Sequence, residues 1–221
     1  MRFNNLSGAD GTTVSSFDAE TISDLSECFS RLDGCRWNYV VSAKPNQATT
    51  SDELTSKADR LVLRTIRSNS DLIITTGKTA VAEQLNASSY APMLVLTSNS
   101  HIDFPALRTT SEQKILLTIE TGVFQNLNAM CIGLTSGNLA SWLQDNTRDY
   151  QSKVYEGGTD TGFELVNAGF INYICLSVTS SESFTESLAA AHDFLSNTSR
   201  NFRLVQVLES EKTWFFTFRA N

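Results

Sequence analysis

Short apolar runs alternate with stretches of helical spacing along most of this chain, and that alternation limits the fold more than any other feature. Asp71 to Thr75, Met93 to Thr97, Lys114 to Ile119, Met130 to Leu134 and Ile171 to Val178 are apolar on consecutive residues. Strands buried on both faces read this way. Between and around them, Leu54, Ala58, Leu61, Val62 and Ile66 share one helical face, and Phe184, Leu188, Ala191 and Leu195 share another. Shorter helices are expected from Thr79 to about Leu85, from Leu139 to Asn146 and from Thr161 to Asn167.

The ends of the chain read differently. Asp18 is a candidate N-cap, and Ile22, Leu25, Phe29 and Leu32 follow at helical spacing, which predicts an N-terminal helix ending before Asp33-Gly34. The first dozen residues are expected to lack structure. Trp37 to Ser42 is a first strand, stopped by Lys44-Pro45-Asn46, and Gln47 to Ser51 is a polar loop. At the other end, Phe202 to Leu208 and Thr213 to Phe218 flank Ser210-Glu211-Lys212, which predicts an antiparallel hairpin. Strand and helix in alternation imply an α/β fold with helices on both faces of a mixed, mostly parallel sheet. No repeat or linker interrupts the chain, so 1–221 reads as a single domain.

Charge and cysteine usage exclude several classes. The net charge of −7 argues against a broad electrostatic grip on nucleic acid. Cys28, Cys35, Cys131 and Cys175 form no C-x-x-C pair, and His101 and His192 lie far from them, so no metal site is expected. No apolar run reaches the roughly 18 residues of a membrane span. The N-terminal residues lack the apolar core of a signal peptide, so reduced cysteines in the cytoplasm are the simplest expectation.

The segments that can carry chemistry sit where strands hand over to helices. Val154-Tyr155-Glu156-Gly157-Gly158-Thr159 places two glycines between a strand and a helix. Glycine allows close approach of a ligand, and the helix start offers free N–H groups that suit a phosphate. The same spacing also fits a tight turn with no ligand. Thr75-Thr76-Gly77-Lys78-Thr79 is a second such turn, in which Thr79 either caps the helix or meets a phosphate. It is not a P-loop, because position 72 is Leu72 where that motif needs glycine. Lys44 ends the first strand and can meet an anion or stand in solvent. Lys57, Arg60, Arg64 and Arg67 form a basic stripe, the usual mark of a solvated face. His192 reads as a partly buried surface residue. Neither histidine accompanies a nucleophile motif, so no catalytic residue is named.

In order, these segments resemble the pyrimidine reductase family that includes the C-terminal domain of the RibD deaminase-reductase. The resemblance rests on Asn38 to Ala43, Asp59 through Arg67 to Ile74 and Thr79, Pro92 to Leu96, Glu156-Gly157-Gly158, Leu165 to Val178 and the final hairpin. It spans about residues 37 to 218, with 1–36 as an N-terminal helical extension. It implies a dihydrofolate reductase-like three-layer fold, NADPH as hydride donor and the chemistry of 5-amino-6-(5-phosphoribosylamino)uracil reduction in riboflavin biosynthesis. It implies cofactor contacts at Thr76, Gly77, Thr79, Glu156, Gly157, Gly158 and Thr159, and a substrate side at Asn38, Ser42 and Lys44. A small-molecule substrate and a homodimer are further implications. The chain departs from the family pattern at several positions. Lys44-Pro45 replaces Asp-Gly, Thr76 and Lys78 replace glycines, and Asn172-Tyr173 replaces Asp-Glu. Those departures imply either a different substrate or a catalytically degenerate member with a nucleotide-binding or scaffold role.

Overall fold

The structure is a computed structural model and describes residues 1–7, 12–44, 54, 56–98, 102–108, 115–119, 129–133 and 138–221. The loop expected at 47–51, His101, and the strand-end residues Lys114 and Leu134 lie outside these residues. The chain divides into two compact units, one built from 1–30, 36–69 and 171–221 and the other from 31–35 and 70–170.

In the first unit the strands run in the order β2-β1-β10-β11-β9-β3. Their ranges are β1 Arg2–Ser7, β2 Thr12–Asp18, β3 Gly34–Ser42, β9 Ile171–Thr179, β10 Phe202–Ser210 and β11 Thr213–Ala220. The ladders from β2 through β9 are antiparallel. The expected terminal hairpin is present: Glu211 and Lys212 both take positive φ, 52° and 61°, as a two-residue primed turn requires. The antiparallel region is wider than the sequence implied, because β1 and β2 form a second hairpin on its outer side.

That hairpin is a correction. Residues expected to be unstructured form β1, and Asp18 ends β2 rather than capping a helix. The helix that follows, α1, is only Ile22–Leu25, capped by Thr21 with Asp24 closing a capping box. Ser26 then hydrogen-bonds back to the Ile22 carbonyl at 2.9 Å, a local alternative to helix continuation. The 1–36 extension is therefore a hairpin and one helical turn.

Helix α2, Lys57–Ser68, starts at Ser56, whose hydroxyl accepts from the Asp59 amide at 3.1 Å. Its inner face buries Ala58, Leu61, Val62 and Ile66, as the spacing predicts. The burial of each larger side chain contributes roughly 1.5–3 kcal/mol. Lys57, Arg60 and Arg64 are exposed on the outer face. One polar side chain, Asp59, goes inward with the apolar ones and is only 6% exposed.

The last helix of this unit, Phe184–Leu195, buries Ser187, Ala191 and Phe194, so its stripe is turned slightly from the expected one. Phe194 packs on Trp37 and Tyr39, and Phe184 on Trp214 and Phe216. Phe3 of β1 lies between Phe17 and Phe215. His192 is exposed.

The second unit is a parallel sheet in the order β8-β4-β5-β6-β7. Here β4 is Leu72–Thr76, β5 Met93–Leu96, β6 Ile115–Ile119, β7 Ala129–Gly133 and β8 Ser152–Tyr155. Leu72, Ile73 and Ile74 are fully buried, which explains their unbroken apolar run. Helix α3, Gly77–Ala82, follows β4, α4 is Leu139–Asn146, and α5, Thr159–Asn167, follows β8. Ala80, Met93, Val95, Ile102, Phe104 and Leu107 form a core cluster beside α3. No helix among the described residues is long and apolar enough to cross a membrane.

Candidate functional site

The two glycine turns are neighbours. Strands β4 and β8 pair in parallel with Ile73 opposite Val154 and Ile74 opposite Tyr155, so the turns leave the same sheet edge side by side. Two further bonds tie them: the Glu156 amide donates to the Ile74 carbonyl at 2.8 Å, and the Thr75 hydroxyl donates to the Glu156 carbonyl at 3.3 Å. Thr76, Gly77, Thr79, Glu156, Gly157, Gly158 and Thr159 therefore form one group, beyond the carboxyl ends of adjacent parallel strands. Ligands of open α/β sheets bind at such edges.

Within the group the residues have distinct local duties. Thr76, not Thr79, caps α3. Its hydroxyl accepts from the Thr79 amide at 3.2 Å and shares a hydrogen bond with the Thr79 hydroxyl at 2.9 Å. Gly77 is buried, and a Cβ there would lie 2.6 Å from Ile102 Cδ1 and 2.7 Å from Thr97 Oγ1. Gly157 is equally confined. A Cβ on it would come within 2.2 Å of the hydroxyl oxygen of Tyr155, a fully buried ring. Close packing within the chain thus accounts for glycine at both positions.

Gly158 differs. A Cβ built there meets nothing within 4 Å. It is the N-cap residue of α5, and no side chain caps that helix. Helices α2, α3, α4 and Phe184–Leu195 each have a side-chain cap, from Ser56, Thr76, Asn138 and Ser183 respectively. The amides opening α5 therefore have no side-chain cap, and the positive end of the helix dipole lies behind them. Asp160 in the first turn offsets part of that charge. Lys78, on the adjoining turn, is exposed.

The residues expected on the substrate side belong to the first unit. Asn38 and Ser42 are half-buried on β3. The Ser42 hydroxyl closes a small turn with the backbone of Lys44. Lys44 Nζ donates to Glu182 Oε1 at 3.0 Å. Glu182 holds the lysine pKa above its usual value, and Lys44 in turn lowers that of Glu182. The lysine that replaces the family aspartate thus has a carboxylate partner in its own chain. Its neighbour Pro45 lies outside the described residues.

Sequence reasoning missed Asp59 as a distinctive residue. Burial raises its carboxyl pKa, against a side-chain hydrogen bond from Ser177 and the charge of Arg60. The signal was available: an acid at position 59 inside an otherwise apolar helical stripe. Among the described residues, no group of three or more His, Cys, Asp or Glu is arranged to hold a metal ion.

By shape, the chain shares an α/β fold with solved structures of pyrimidine reductases. No protein-family model and no curated protein matches the sequence. Among solved structures, the chain is similar to a pyrimidine reductase-like protein from Corynebacterium diphtheriae, at 15% identity and a TM-score of 0.64, over 89% of this chain and 94% of that one. It is also similar to the diaminohydroxyphosphoribosylaminopyrimidine deaminase/5-amino-6-(5-phosphoribosylamino)uracil reductase of Thermotoga maritima. There the identity is 13% and the TM-score 0.66, over 90% of this chain and 60% of that one. A riboflavin biosynthesis reductase of Saccharomyces cerevisiae matches with 10% identity and a TM-score of 0.56, covering 93% of each chain. The chain spans 60% of the length of the bifunctional Thermotoga protein.

Proposed function

We propose that this chain is an NADPH-dependent reductase of a pyrimidine-type small molecule, resembling the 5-amino-6-(5-phosphoribosylamino)uracil reductases. The observation that carries the reading is the open, uncapped start of α5 at Gly158, set beside the Thr76–Thr79 turn. A dinucleotide phosphate fits there: the amides that open α5 donate to it, Lys78 stands on the adjoining turn, and no Cβ obstructs the approach. Bound NADPH supplies a hydride, and the protein's share is to orient the nicotinamide and exclude water. The names of the three similar structures, all reductases or reductase-like, support the same class.

A fluorescence titration with NADPH tests this directly, using the parent and Gly158→Asp. The aspartate supplies the missing helix cap and places a carboxylate where the phosphate would sit. The expected result is binding by the parent and at least about a tenfold loss in the variant, the size of one charge-assisted contact. A parent that does not bind NADPH removes the reductase reading. A variant that binds as well as the parent removes the site assignment.

A second reading is a family member that has kept nucleotide binding and lost catalysis. The Lys44–Glu182 pair favours it, since an ion-paired lysine stands where the resembled family has an aspartate. NADPH binding without any oxidation in the presence of riboflavin precursors distinguishes this case.

A further inference from the structure

In the first unit, three side chains form a row across three adjacent strands. Arg203 of β10 is paired with Arg219 of β11, and Arg219 with Tyr173 of β9. Directly paired residues of antiparallel strands point to the same face, so the two guanidinium groups and the phenol share one side of the sheet. The Arg219 guanidinium lies over the Tyr173 ring, 5.7 Å from its centroid. Arg200, at the start of the same hairpin, donates from Nη1 to the Ile171 carbonyl at 3.1 Å.

Like charges directly opposite each other destabilise a sheet, and arginine cannot relieve the repulsion by losing its proton. The chain has 24 acidic residues against 17 basic ones, so counter-charges are in surplus. It uses them elsewhere, pairing Arg31 with Asp71, Lys44 with Glu182 and Arg108 with Asp103. Yet among the described residues neither Arg203 nor Arg219 has a carboxylate within 4.0 Å. Both are exposed. The Tyr173 ring offers the Arg219 guanidinium a cation–π contact, which leaves its N–H donors for hydrogen bonds.

We propose that the Arg203–Arg219–Tyr173 row is a binding site for a phosphate-type dianion. Two forked donors on neighbouring strands suit the several acceptor oxygens of a phosphate better than one carboxylate. The dianion removes the repulsion between the arginines, so binding and sheet stability are linked.

The test uses the full chain at low ionic strength, by calorimetric titration and thermal melting. The probes are inorganic phosphate, ribose 5-phosphate as a monoester, and acetate as a monoanion control. Phosphate or the monoester is expected to bind and raise the melting temperature, and tighter binding of the monoester assigns a role to the attached sugar. In the Arg203→Gln/Arg219→Gln double variant the affinity should fall at least about tenfold. Arg148→Gln, an exposed arginine of the second unit, should bind like the parent. Without ligand, Arg203→Gln alone should melt higher than the parent at low salt, and added salt should erase the difference. The proposal fails if the parent binds neither phosphate probe, if the double variant binds like the parent, or if acetate acts as phosphate does.

Discussion

The Tyr155 hydroxyl donates to the Gly158 carbonyl at 3.1 Å, and in doing so it fills the space that a side chain on Gly157 would need. The glycine pair is therefore divided in purpose. One residue accommodates a buried ring of the same chain, and the other opens on free space. Gly157→Ala should destabilise the protein by about 1–3 kcal/mol, the usual cost of overpacking. Gly158→Ala should cost less than about 1 kcal/mol, because its φ of −67° suits any residue and nothing crowds the new methyl. Urea denaturation of the two variants checks this; equal losses would contradict the division.

Thr76 carries the start of α3 through its hydroxyl. Thr76→Val keeps the shape and removes the acceptor, and should cost about 1 kcal/mol, while Thr76→Ser should keep most of the stability. Amide exchange across 77–83 should accelerate in the valine variant alone. Uniform protection in all three proteins would show that the cap is dispensable.

Asp59 makes stability depend on pH in an unusual direction. Burial holds its folded-state pKa above that of the unfolded chain. The folded protein therefore takes up this proton first as pH falls. The contribution is complete below the ordinary carboxylate range and is lost as pH rises through the folded value. Asp59→Asn has no proton to bind, so it should gain on the parent as pH rises from about 4 toward neutrality. Denaturation curves at several pH values read this out. A constant gap between the two proteins would mean that the carboxyl is not titrating in that window.

Phe3 is fully buried between Phe17 and Phe215, 5.8 and 6.0 Å from their ring centroids. Phe3→Ala should cost about 3–5 kcal/mol, as expected for a core aromatic. A dispensable N-terminal segment would show a far smaller loss.

The parallel half was the more legible part of the fold. Strands β4 and β5 are buried on both faces, so their apolar runs are continuous, and their limits fall within a residue or so of those expected. β1 escaped for a physical reason. Its ladder with β2 shifts register between Asn5 and Leu6, so Phe3 and Leu6 are three residues apart and alternation is broken. The expected N-terminal helix failed in the opposite sense. Ile22, Leu25 and Phe29 have helical spacing, but the Ser26 hydroxyl takes up the Ile22 carbonyl and only one turn forms. At the candidate site, glycine positions were legible while their causes were not. Thr97 and Ile102, which enclose Gly77, are 20 and 25 residues away in sequence, and local spacing does not reveal such neighbours.

Strand β1 pairs with β10 through Asn4–Glu209, Asn5–Leu208 and Leu6–Val207. Its second sheet partner is thus made some 205 residues later. At a synthesis rate of roughly 5–20 residues per second, the ribosome delivers that partner on the order of ten seconds or more after β1 has emerged. Until then the β1–β2 ribbon presents a bare row of amides and carbonyls to the cell. The side chains that face outward on it, Thr13, Ser15, Ser16 and Asp18 among them, are hydrophilic, which keeps a nascent edge from recruiting the wrong strand.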